Sequence, residues 1–123
     1  KESQAPHVEL WGSGSPMREF LHVDDLADAC IFLMQEYNEK LFLNVGTGED
    51  LTIRDLAGLV QRTVGYTGEV IWNTEKPDGT PRKLMDVSKL HQLGWKHRIS
   101  LEQGVQSVYE EFKSKSIEEL RAK

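Results

Sequence analysis

Trp11-Gly12-Ser13-Gly14-Ser15-Pro16-Met17-Arg18-Glu19-Phe20-Leu21-His22-Val23-Asp24-Asp25 is the stretch from which the fold is read. Ahead of it, Val8-Glu9-Leu10-Trp11 alternates apolar and polar residues, the period of a half-buried strand. Gly12 to Pro16 combines flexible glycines with one stiff proline and predicts a turn. Arg18 to Val23 reads as a second strand, with Arg18, Phe20 and His22 on one face and Glu19, Leu21 and Val23 on the other. Asp24 and Asp25 then suit the first turn of a helix, whose positive end attracts carboxylates.

Working outward, Leu26, Cys30, Leu33, Met34 and Tyr37 recur at helical spacing and predict the buried stripe of that helix, with Cys30 an inert core thiol. Leu41-Phe42-Leu43-Asn44-Val45 is short and nearly all apolar, as in a strand covered on both faces. Thr52 caps a helix over Ile53–Val64 that Gly65 stops. Val70-Ile71-Trp72 is a further strand. Two prolines and a glycine exclude regular structure from Lys76 to Pro81. A short helix from Asp86 or Ser88 ends at Gly94, and Ser100-Leu101-Glu102-Gln103 opens a last helix with a capping-box pattern and the stripe Leu101, Val105, Val108, Phe112. The reading is an α/β chain that begins without a first βαβ unit, with residues 1–113 as one portion and 114–123 as a charged, frayed tail.

Composition narrows the function. The chain has 123 residues, 38% hydrophobic and 28% charged, in the range of soluble domains. No apolar run approaches the ~20 residues that span a bilayer. A net charge of −5 argues against nucleic acid as a partner. One cysteine precludes an internal disulfide, so a reducing cytoplasm is the expected compartment. The four histidines lack metal-ligand spacing, and no metal site is expected.

Two motif matches are rejected on context. Gly46-Thr47-Gly48-Glu49-Asp50-Leu51 lacks the third glycine of a dinucleotide turn and reads as a strand-to-helix turn. Tyr109-Glu110-Glu111-Phe112-Lys113 has the Tyr-x-x-x-Lys spacing of dehydrogenase catalysis, yet it lies on a terminal amphipathic helix with no serine-bearing strand before it. No catalytic or cofactor-binding residue is assigned. Two other segments have chemistry suited to a ligand. Trp11 and Arg18 flank a flexible turn and offer an aromatic wall and a planar fork for phosphate oxygens; the plainer reading is a hairpin with a core Trp and a surface Arg. Lys76-Pro77-Asp78-Gly79-Thr80-Pro81-Arg82-Lys83 places a carboxylate among three cations, or is simply a solvated charged loop.

These segments also carry a resemblance. Arg18-Glu19-Phe20-Leu21-His22-Val23-Asp24-Asp25 is similar to a stretch shared by extended short-chain dehydrogenases that act on nucleotide sugars. Together with Asn44-Val45-Gly46-Thr47-Gly48, the Lys76–Val87 segment and Leu90-His91-Gln92-Leu93-Gly94-Trp95, it resembles the GDP-L-fucose synthase family over nearly the whole chain. The resemblance implies the C-terminal, substrate-binding portion of a Rossmann-like fold. It implies an enzyme that epimerises GDP-4-keto-6-deoxy-D-mannose at C3 and C5 and reduces its 4-keto group with NADPH. The NADP site, the Ser/Tyr/Lys set and the Cys and His of epimerisation are expected upstream, so the 123 residues alone are expected to be inactive. Trp11, Arg18 and Asp78, with Lys83 in addition, are the implied GDP-sugar contacts, and a homodimer is implied for the full-length enzyme. The alternatives are a related nucleotide-sugar epimerase or dehydratase, or a catalytically silent nucleotide-sugar-binding module.

Overall fold

The computed structural model describes residues 3–116 and Glu119. The chain opens with β1 (His7–Trp11), turns through Gly12–Pro16 into β2 (Met17–Glu19) and enters α1 (Val23–Glu36). An irregular stretch leads to β3 (Asp50–Thr52), α2 (Ile53–Val64) and β4 (Glu69–Asn73). The Lys76–Pro81 loop then feeds β5 (Arg82–Lys83), α3 (Ser88–Gln92) and α4 (Leu101–Ser114). β1 and β4 pair in parallel, His7 opposite Glu69 through Trp11 opposite Asn73. A second sheet has the order β3-β2-β5, with β2 antiparallel to β3 and parallel to β5.

The helix boundaries follow local chemistry. The Thr52 hydroxyl accepts from the Asp55 N–H at 3.0 Å, and Gly65 closes α2 in the left-handed conformation. Ser100 and Gln103 form the reciprocal capping box at the start of α4. The Asp86 carboxylate accepts from both the N–H and the hydroxyl of Ser88 ahead of α3.

Three expectations are corrected. The second strand ends at Glu19, because His22 adopts the cap position of α1 and its Nδ1 accepts from the Asp24 N–H at 3.2 Å. The buried face of α1 is Asp25 and Ala29, not the stripe through Leu26, Cys30 and Met34; Cys30 is exposed and Met34 is 78% exposed. Hydrophobicity misleads here because the inward face carries two carboxylates. Asp25 accepts the backbone N–H groups of Arg98 and Ile99 at 3.1 and 2.9 Å, and Asp28 accepts the Trp95 indole N–H at 2.8 Å. Leu41–Val45 pairs with no strand among the described residues. Leu41 and Phe42 are exposed, while Leu43 and Val45 pack against the core of Ala29, Val87, Leu90 and Trp95. The strands β3 and β5 were not anticipated. The charged tail expected beyond Lys113 falls mostly outside the described residues, α4 itself running to Ser114.

Candidate functional site

Trp11, Arg18 and Asp78, read from separate segments, line one pocket of about 160 Å³ together with Gly14, Pro16, Ile53, Pro77 and Gly79. Backbone hydrogen bonds assemble it. Gly12 N–H donates to Asn73 O at 2.9 Å, continuing the β1–β4 ladder into the turn. Ile53 N–H donates to Pro16 O at 2.9 Å, and Met17 N–H donates to Pro81 O at 2.8 Å, so both flanks of the turn are anchored.

Trp11 ends β1 with its side chain 71% exposed, a large apolar surface left at the pocket rim, and the Lys76 ammonium sits 5.4 Å from its ring centroid. Arg18 is half-buried. Its Nη1 donates to Met17 O at 2.6 Å, and among the described residues it forms no ion pair. The rest of its fork therefore remains for a ligand, and guanidinium geometry favours a phosphate or carboxylate. Lys83 is exposed on β5, in register with Arg18, and does not line the pocket.

Asp78 is more committed than its sequence context indicates. Ser13 N–H donates to Oδ1 at 2.8 Å, and the Ser13 hydroxyl donates to Oδ2 at 2.7 Å. These bonds, the hydroxyl's foremost, hold the carboxyl below its ordinary value of 3.8. Gly12 makes the approach possible: at φ +82° it tolerates the turn, and a Cβ there would stand 2.4 Å from Asp78 Oδ1. Each carboxylate oxygen keeps a second acceptor position for a sugar or ribose hydroxyl.

Glu19, the neighbour of Arg18, has no ligand role in this arrangement. Its Oε1 accepts the N–H groups of Thr47 and Gly48 at 2.6 and 2.7 Å, and its Oε2 accepts Met85 N–H at 3.1 Å. Successive N–H groups in a glycine turn make a natural anion cradle. Here an internal carboxylate fills it, and a Cβ on Gly46 would lie 2.3 Å from Glu19 Oε1. The residues of this turn therefore do not fit a dinucleotide pyrophosphate. Tyr109 is also engaged within the fold, its hydroxyl donating to Val64 O at 3.4 Å across the α2–α4 contact. Among the described residues, no cluster of three His, Cys, Asp or Glu is arranged to hold a metal, and no helix is long and apolar enough to cross a membrane. Sequence reading missed Ser13, Pro77 and Gly79. The available signal was the placing of Ser13 between two glycines, opposite an acidic residue in a proline-confined loop.

Comparison with known proteins gives a consistent picture. The NAD dependent epimerase/dehydratase family matches residues 1–46. The chain is 58% identical over 110 residues to a putative GDP-L-fucose synthase 2 of Arabidopsis thaliana, covering 89% of this chain and 34% of that protein. It is 55% identical over 117 residues to the GDP-L-fucose synthase of Escherichia coli K12, covering 88% and 36%. Among solved structures, a GDP-mannoheptose C4 reductase from Campylobacter jejuni with NADP bound is 46% identical, with a TM-score of 0.77 over 87% of this chain and 35% of that one. The chain thus spans about a third of the length of the relatives it matches.

Proposed function

We propose that this chain belongs to the NAD dependent epimerase/dehydratase family, whose model matches residues 1–46, and forms the sugar-nucleotide-binding part of a GDP-L-fucose synthase. The observation that carries the reading is the meeting of Trp11, Arg18 and Asp78 around one pocket. In that reading the Arg18 fork meets the diphosphate of a GDP-sugar. The exposed Trp11 indole forms an apolar wall for the base or sugar, and Asp78 accepts a hydroxyl through its unused lone pairs. Lys83 is at most a peripheral cation for the diphosphate, since it stands outside the pocket.

The reaction assigned to the whole protein is epimerisation of GDP-4-keto-6-deoxy-D-mannose at C3 and C5, followed by reduction at C4 with NADPH. The pocket residues supply binding energy and orientation to this chemistry. Hydride transfer and the NADP site belong to the part of the relatives' length that this chain does not span.

Steady-state kinetics of the complete protein, following NADPH oxidation, test the assignment. Arg18→Ala should raise KM about ten- to a hundred-fold, the equivalent of about 1.5–3 kcal/mol for a charge-assisted contact, with kcat falling less. Arg18→Lys should recover part of the loss, keeping the charge without the fork. An unchanged KM would remove Arg18 from the site. The similarity to a C. jejuni GDP-sugar C4 reductase favours, as a second reading, reduction without epimerisation. Solvent deuterium incorporation at C3 and C5 of the product separates the two, since only the epimerising enzyme exchanges those protons.

A further inference from the structure

The Pro77–Gly79 loop is built against Arg18. A Cβ on Gly79 would lie 3.2 Å from Arg18 Nη2, so the loop backbone borders the guanidinium. The two ends of the loop are tied by Met17 N–H to Pro81 O and Lys76 N–H to Asn73 O, and its middle is tied by Ser13, 65 residues away in sequence, which meets both Asp78 oxygens. We propose that Ser13 is a positioning residue of the pocket: by gripping both oxygens of Asp78 it holds the loop against Arg18 and sets where the fork points. The proposal rests on the reading of Arg18 as a diphosphate contact.

Proton bookkeeping makes the grip directional. Ser13 Oγ lies 2.7 Å from Asp78 Oδ2 and also 2.7 Å from Ser15 Oγ, but it has one proton. The charged acceptor takes it. Ser15 then donates to Ser13 Oγ, from its hydroxyl and from its N–H at 3.1 Å, and the two bonds orient the Ser13 hydroxyl toward the carboxylate. Ser13 O in turn accepts from Arg54 Nη2, whose guanidinium carbon lies 4.7 Å from the Trp72 ring centroid. Ser13 is thus fixed from the α2 side and passes that order to the loop.

The complete protein carrying Ser13→Ala, Ser13→Thr or Arg18→Ala is compared with the parent in substrate kinetics and in amide hydrogen exchange at position 13. That amide donates to Asp78 Oδ1 and reports opening of the latch. Ser13→Ala should speed exchange there about tenfold, the loss of one charge-assisted bond, and raise KM about tenfold with kcat within about twofold. Ser13→Thr, which keeps a hydroxyl, should restore both. Exchange unchanged in Ser13→Ala would overturn the latch. Faster exchange with unchanged KM, while Arg18→Ala raises KM, would overturn positioning and leave the site assignment intact. An unchanged KM in both Arg18→Ala and Ser13→Ala would overturn the site assignment and the proposal together.

Discussion

Replacing Glu19 by Ala should cost about 3–5 kcal/mol of folding stability, and the figure follows from what its carboxylate holds. Three backbone N–H groups, of Thr47, Gly48 and Met85, donate to it, and the Thr47 hydroxyl approaches at 3.2 Å. Hydrogen bonds to a charged acceptor contribute about 1.5–3 kcal/mol each, and an orphaned buried donor costs a similar amount. Met85 is 40% exposed, so water can take over its N–H once the carboxylate is gone. That leaves about two bonds' worth of loss, a large share of the ~5–15 kcal/mol that stabilises a typical domain. Glu19→Gln should cost less, about 1–2 kcal/mol. The amide oxygen still accepts from Thr47 and Gly48, but its NH₂ faces another donor at Met85 and the charge is lost. Urea unfolding of the complete protein measures both, with the midpoint falling at constant slope. Glu19→Ala within about 0.5 kcal/mol of the parent would refute the reasoning. So would Glu19→Gln that abolishes turnover without lowering the midpoint, since that is the signature of an acid used in catalysis.

Three further outcomes are expected. Leu90→Ala, at a fully buried side chain in the core beside Trp95, should destabilise by about 2–5 kcal/mol in the same urea assay, and a loss below about 1 kcal/mol would mean the site collapses freely. The Asp78 carboxyl, depressed by Ser13, should titrate below 3.8 by carbon NMR. Its contribution should be complete above that pH and lost as pH falls through the lower folded value, so a midpoint at or above 3.8 would remove the grip. The 123-residue chain by itself should bind a hydrophobic dye and self-associate, because Val23, Met34, Leu41 and Phe42 are all more than two-thirds exposed; a monodisperse monomer with a sharp melt and no dye binding would contradict this.

Local signals in the sequence were read well where one residue decides the structure. Thr52, Gly65, Ser100 with Gln103, and the prolines of the 76–81 loop each act within a turn of their own position, and each boundary falls where that chemistry puts it. Patterns that depend on a partner were misread. The stripe of α1 was assigned by hydrophobicity, yet the inward face is chosen by Asp25 and Asp28 reaching N–H groups about 70 residues away, information that no helical period carries. Leu41–Val45 has the composition of a covered strand, but composition names no pairing strand. Trp11, Arg18 and Asp78, which the family resemblance implies as contacts and whose chemistry alone left a hairpin and a solvated loop open, line one pocket. Lys83, implied by the same resemblance, stands outside the pocket, since its direction is set by the two-residue strand β5. Ser13 was invisible because a serine in a glycine turn looks like a spacer until its partner is known.

The pairing of Arg18 with Glu19 shows why one short strand can carry both binding and stability. Successive residues of a strand point to opposite faces. In β2 that alternation sends Arg18 to the pocket under Gly79 and Glu19 to the glycine turn at Gly46–Gly48. The two charges are adjacent in sequence but have separate partners, so neither neutralises the other: Glu19 is saturated by backbone N–H groups, and Arg18 donates to Met17 O. A fork left unpaired by its own neighbour stays available for an external anion. The same arrangement disfavours sliding β2 by one residue, because a shift in one direction would bring the carboxylate into the pocket beside Asp78, and a shift in the other would bring the guanidinium against the N–H cradle, a like-polarity contact in either case. The antiparallel register with β3, Met17 opposite Thr52 and Glu19 opposite Asp50, is thus enforced by charge as well as by hydrogen bonding. Removing Arg18 should therefore weaken binding and leave the cradle standing, while removing Glu19 should loosen the sheet on which Arg18 sits and damage both.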